Sequence, residues 1–134
     1  MKNPFSPGHV KVYATTVTPD KLAAFDAAPG GGTVHPLYST FALAKDAEWA
    51  CRLFVLDMLE PGEEGIGSFV SVRHVSPALQ GSNIRIEATL QRVEGSLIYC
   101  TYQAFCDGRL LAHGEQEQRI LDKARFYASL AKLQ

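Results

Sequence analysis

Three side chains in this 134-residue chain have both the chemistry and the setting to move a proton or attack an electrophile: Glu48, His74 and Thr40. Glu48 lies within TFALAKDAEWACRLFVLDMLE, Thr40 to Glu60. At about 100° per residue, Phe41, Ala44, Ala47, Cys51, Val55 and Met58 share one helical face, and Glu48 falls on that face. A carboxylate in an apolar stripe is costly unless it is paired or hydrogen-bonded. Burial would raise its pKa and suit it to work as general base or nucleophile near neutral pH. The other reading is a structural carboxylate tied to an arginine or to backbone N–H groups. His74 ends the alternating run GSFVSVRH and shares a face with Val70 and Val72. It is either a satisfied core histidine or an acid–base group, the second only if Glu48 or Thr40 is near. Thr40 opens the helical stretch about two turns before Glu48, close to it in azimuth but ~12 Å away along the axis. It can cap the helix or turn its hydroxyl toward a shared pocket.

Two further positions could bind rather than react. Gly65-Ile66-Gly67 precedes His74, and glycine lets a backbone N–H approach a substrate oxygen closely. A simple turn is the plainer alternative. Arg119 could neutralise a carboxylate or hold a phosphate, or it is a surface strand arginine.

Composition removes several classes of function. Net charge is −1, with no basic block, which argues against a general nucleic-acid binder or a partner of anionic membranes. The apolar runs are too short for a membrane span, and MKNPFSPGHV has no apolar core of a secretory signal. Histidines, carboxylates and cysteines show no metal-ligand spacing, and phosphate-loop, dinucleotide and Gly-x-Ser-x-Gly motifs are absent. No metal and no separate cofactor is expected. Cys51, Cys100 and Cys106 form no Cys-x-x-Cys motif and read as small buried hydrophobes in a reducing cytoplasm.

The elements that must position these residues follow from periodicity. His9 to Val17 alternates as a first strand. Residues 18–36, rich in proline and glycine, read as a loop with one helical turn at Lys21 to Ala27. Ser39 or Thr40 caps the central helix, which breaks at Pro61-Gly62. The helix is expected to be apolar over most of its girth, Trp49, Leu53 and Leu56 included, with a narrow polar strip near Asp46 and Asp57. Strands then follow over Gly67–His74, Asn83–Val93, Leu97–Cys106 and Arg109–Leu121, with turns at Glu94-Gly95 and Asp107-Gly108. Asp122 caps a short C-terminal helix through Leu133. One domain spanning 1–134 is expected, of α+β class: an antiparallel sheet of about five strands wrapped around one long helix, the hotdog arrangement.

The set Thr40, Ala47-Glu48-Trp49-Ala50-Cys51, Leu59-Glu60-Pro61-Gly62-Glu63, Gly67, Val72-Arg73-His74 and Val93-Glu94-Gly95 resembles the fluoroacetyl-CoA thioesterase type of hotdog protein. The resemblance covers nearly the whole chain. It implies a catalytic constellation of Thr40, Glu48 and His74, a carbonyl-polarising backbone amide at Gly67, and a substrate-binding arginine at Arg119. It further implies hydrolysis of a small or medium acyl-CoA, with CoA entering as part of the substrate, in a homodimer or dimer of dimers. Pro29 to Val34 carries glycines where the fluoroacetyl-specific enzyme has an aromatic lid, so fluoroacetyl specificity does not carry over. Two other readings use the same scaffold: a non-catalytic acyl-CoA or acyl-carrier binding protein, and a dehydratase or hydratase acting on a thioester.

Overall fold

The computed structural model describes residues 1–26 and 31–134. Alternation of apolar and polar residues sets β1 (Val10–Thr16), β6 (Asn83–Glu94), β7 (Leu97–Cys106) and β8 (Arg109–Asp122). The 19-residue helix α1 (Thr40–Met58) precedes β4 (Glu63–Val70) and β5 (Arg73–His74). The main sheet is antiparallel, in the order β1-β6-β7-β8-β4, with β5 continuing along β8. This is the hotdog arrangement expected from the element order. Helix α2 (Lys123–Leu130) follows β8, its first turn capped by Asp122, which accepts from the Arg125 N–H at 2.8 Å.

The core lies between α1 and the inner face of the sheet. Leu43, Ala47, Ala50, Phe54 and Met58 meet Ile84, Ile86, Leu90, Ile98 and Leu111, all buried. Full burial of each large chain of this kind contributes about 1.5–3 kcal/mol, so this contact sets the helix on the sheet. The three cysteines are buried and free. Contact with the Cys100 thiol and burial together push the Cys51 thiol well above the usual range, which leaves it protonated and inert.

Three expectations are corrected. Residues 18–36 are not simply a loop. A 3-10 turn (Pro19–Lys21) leads into β2 (Leu22–Ala24), which pairs with β3 (Thr33–Tyr38) as a separate hairpin. Of the helical turn expected at Lys21 to Ala27, Lys21 closes the 3-10 turn, Leu22–Ala24 is strand and Phe25 and Asp26 follow it outside any element, while Ala27 with the Pro29-Gly30 end of the glycine run lies outside the described residues. Pairing with a partner strand overrides a weak local preference. Secondly, α1 is less enclosed than its composition implies: Phe41, Trp49 and Leu56 are exposed. Thirdly, the strand carrying Gly67 begins at Glu63 and breaks at Ser71–Val72 before His74. There Gly114 makes room for the chain. A Cβ at 114 would overlap the Ser71 carbonyl oxygen, which also accepts from the Tyr102 hydroxyl at 2.6 Å. No helix among the described residues is long and apolar enough to cross a membrane.

Candidate active site

Thr40 and His74 meet. Ser39, not Thr40, is the helix cap: its hydroxyl accepts from the Ala42 N–H at 3.0 Å. That leaves the Thr40 side chain free, and its Oγ1 lies 3.2 Å from His74 Nδ1 in a hydrogen bond. The other ring nitrogen, Nε2, is buried and has no partner among the described residues. Burial lowers the His74 pKa from its ordinary value, so the imidazole is neutral near pH 7 and able to accept a proton. The pair opens on a cavity of about 450 Å³ whose walls include Phe25, Leu37, Phe41 and Val75.

Glu48 sits ~12 Å of axial rise farther along α1, against a different strand. It is half-buried. Its carboxylate occupies the space that a side chain at 67 would fill, for a Cβ built on Gly67 overlaps Oε1 and lies 3.1 Å from Cδ. Glycine at this point of β4 is thus required by close approach. Behind the carboxylate is a short amide chain that sequence reasoning missed. Gln116 Nε2 lies 3.4 Å from Glu48 Oε1, and Gln118 Nε2 donates to Gln116 Oε1 at 3.0 Å and to the Glu48 carbonyl at 3.3 Å. Both glutamines are buried. The available signal was their place at inward positions of an alternating strand, in step with Ile120. The nearby arginine does not hold Glu48: Arg52 donates to the Gly65 carbonyl at 2.8 Å and pairs with Glu64 at 3.1 Å.

The most enclosed acid on α1 is Asp46, not Glu48. Asp46 is 6% exposed, where the helical pattern placed it on a polar strip. It accepts from the Tyr38 hydroxyl at 2.5 Å and pairs with Lys21 at 3.0 Å, and Lys21 also donates to Thr15 Oγ1 at 2.8 Å. Burial and the adjacent carboxylate raise the Tyr38 pKa above the usual phenol range, so the hydroxyl remains a donor. The Tyr38 ring packs edge-on to His74, centroids 6.5 Å apart. Asp46 therefore anchors the residue whose ring packs on the imidazole.

Arg119 lies on the outer face of β8, exposed, with Ile66 and Leu97 as its cross-strand neighbours. A single chain thus brings Thr40 to His74 and Glu48 to Gly67, and holds Arg119 on the other side of the sheet. A larger hollow, about 720 Å³, is lined on the outer face by residues such as Glu87, Thr101, Gln103 and His113, and includes none of these five. Among the described residues no cluster of histidine, cysteine and carboxylate side chains could hold a metal ion.

Known proteins are similar to this chain in sequence and fold. The fluoroacetyl-CoA thioesterase of Streptantibioticus cattleyicolor is 28% identical over 83 residues, 62% of this chain and 60% of that protein. The aligned stretch thus spans about three-fifths of that relative's length. A solved Thermus thermophilus hypothetical protein, a thioesterase superfamily member, is 39% identical, with TM-score 0.90 over 97% of this chain and 93% of its own. A solved variant of the fluoroacetyl-CoA-specific thioesterase superposes with TM-score 0.89 over 99% of this chain and 100% of its own, at 22% identity. That last likeness speaks to the fold alone. The model of the fluoroacetyl-CoA-specific thioesterase family matches residues 17–124, a span that takes in Thr40, Glu48, Gly67, His74 and Arg119, and the chain belongs to that family.

Proposed function

We propose that this protein hydrolyses the thioester of a small or medium acyl-CoA to the free acid and CoA. Thr40, Glu48 and His74 form the reacting site, and Gly67 and Arg119 bind substrate. The observation that carries the reading is the seating of the Glu48 carboxylate in the open space above Gly67. A bound acyl carbonyl there would meet a carboxylate and a bare stretch of backbone together. In the reaction, Glu48 attacks the thioester carbon or takes a proton from the water that does. The Gly67 N–H stabilises the oxyanion that forms. The C–S bond then breaks, the thiolate leaves as CoA, and His74, held in orientation by Thr40, passes it the proton taken from water; where Glu48 itself attacked, water then hydrolyses the mixed anhydride to the free acid and restores the carboxylate. Arg119 meets the anionic part of CoA.

The protein acts as a cytoplasmic homodimer or dimer of dimers. Three free, buried cysteines suit a reducing compartment. β4 pairs with β8 on one side only and carries exposed Phe69 and Val70. An open apolar edge of this kind favours pairing with a second strand. Pairing of two such edges brings the Thr40–His74 pair of one protomer toward the Glu48–Gly67 pair of the other.

The test is thiol release from a panel of acyl-CoAs by wild type and Glu48→Ala. A loss of ~10²-fold or more is expected, the size of an acid–base contribution. Equal rates for the two proteins would sink the assignment.

A further inference from the structure

The hydrolase reading leaves the acyl group unnamed, and the cavity beside Thr40 and His74 bears on it. The volume, about 450 Å³, is in the range of small-molecule sites and far beyond what a two-carbon acyl group fills. Among the described residues its wall holds no lysine, arginine, aspartate or glutamate. Its polar members, among them His35, Thr40, His74 and Ser76, can offer hydrogen bonds, but a charged acyl group would lose its hydration without a full opposite charge to compensate. The wall instead carries Phe25, Leu37, Phe41 and Val75. Phe25 comes from the end of β2 and Phe41 from the first turn of α1, and their rings meet edge to face with centroids 5.4 Å apart. Both are about half exposed, so neither ring is consumed by the core. Tyr38 cannot supply a free hydroxyl to the cavity, because Asp46 holds it. An aromatic pair with open faces prefers another ring in an offset or edge-on arrangement.

We propose that this cavity is the acyl subsite, and that Phe25 and Phe41 make it select an uncharged acyl group bearing an aromatic ring. The proposal rests on the hydrolase reading above. It also gives the chain an aromatic selector outside Pro29 to Val34, the segment in which glycines stand.

The experiment compares kcat/KM for phenylacetyl-CoA, acetyl-CoA and succinyl-CoA. Wild type is expected to favour phenylacetyl over acetyl by at least about tenfold, with succinyl poorest. Phe25→Ala should narrow the phenylacetyl-to-acetyl ratio by about tenfold. Val75→Phe, which fills the cavity, should narrow it as well, and thermal unfolding of each variant reports whether it is folded. Preference for acetyl or succinyl by the wild type, or an unchanged ratio in folded Phe25→Ala, overturns the proposal. If the wild type cleaves no thioester, the hydrolase reading falls, and the subsite is read by binding of the non-hydrolysable phenylacetyl-CoA thioether. Weaker binding by Phe25→Ala then supports the subsite, and an equal Kd overturns it.

Discussion

Gly67→Ala isolates the placement of Glu48 from its chemistry. The new methyl group would overlap Glu48 Oε1, and real Cβ atoms essentially never approach a heavy atom within 3.0 Å. The carboxylate must therefore retreat by about 1 Å, a displacement that can cost ~10²-fold in rate when the moved group takes part in the reaction. In barrier terms that is about 2.7 kcal/mol. The backbone should tolerate the change. Gly67 has no left-handed conformation, and alanine removes some of the entropy cost that glycine carries in a strand. The displaced group is half-buried and, among the described residues, held only by a 3.4 Å contact to Gln116, so stability should stay within about 1 kcal/mol of wild type. The assay is release of CoA thiol followed with a chromogenic thiol reagent; the protein's own cysteines are buried and will not interfere. Loss of activity with an unchanged unfolding midpoint is the expected result. A folded Gly67→Ala protein with kcat/KM within threefold of wild type would refute the claim that Glu48 works from this position.

Three further outcomes are expected. If the site is shared between protomers, His74→Ala and Glu48→Ala subunits, each inactive alone, should regain activity when refolded together, because one of the two sites in a hybrid dimer is then intact; failure of mixed and demonstrably hybrid dimers to recover would place all three groups in one chain. Lys21→Met leaves the Asp46 carboxylate buried with only Tyr38, and should cost about 3 kcal/mol in urea unfolding, whereas a loss below about 1 kcal/mol would mean that water replaces the ammonium freely. His74 has a folded pKa below its ordinary 6.5 because burial disfavours the charged ring. The unfolded chain therefore binds a proton that the folded one refuses, so this contribution is intact above pH 6.5 and is lost as pH falls through the lowered value. His74→Asn should remove that part of the acid sensitivity, and parallel urea midpoints for the two proteins from pH 8 to pH 5 would show that His74 does not supply it.

Under the proposed thioesterase reading, two demands fall on α1, which has to be both the core of the fold and a carrier of reacting groups. Two features reconcile them. The helix buries Leu43, Ala47, Ala50, Phe54 and Met58 against the sheet, and keeps Thr40 and Glu48 toward its margins. The polar groups it does enclose are satisfied: Asp46 by Lys21 and Tyr38, the Glu48 carbonyl by Gln118. Satisfying them within the chain avoids the cost of an unpaired buried group.

Much of this was open to inspection in the sequence. Strict alternation over Ile84, Ile86, Ala88 and Leu90 determined the inner face of β6, and all four are buried. Asp107-Gly108 marked the β7–β8 turn, and Asp122 the cap of α2. The regular helical repeat likewise determined that Thr40 and Glu48 lie ~12 Å apart along α1. These are local properties, legible because side-chain period, turn conformation and capping depend on neighbours a few residues away. What each face meets is not local. Asp46 and Glu48 are two residues apart, and their azimuths do not reveal that Lys21, far back in the chain, encloses one while the β4–β8 register sets Gly67 under the other. The β2–β3 hairpin was hidden for the same reason, since its pairing overrides a segment whose composition reads as loop. The meeting of Phe25 with Phe41, and of Thr40 with His74, likewise joins residues from separate elements. Periodicity determined which residues could share a face; only the packing of sheet on helix decided which of them share a site.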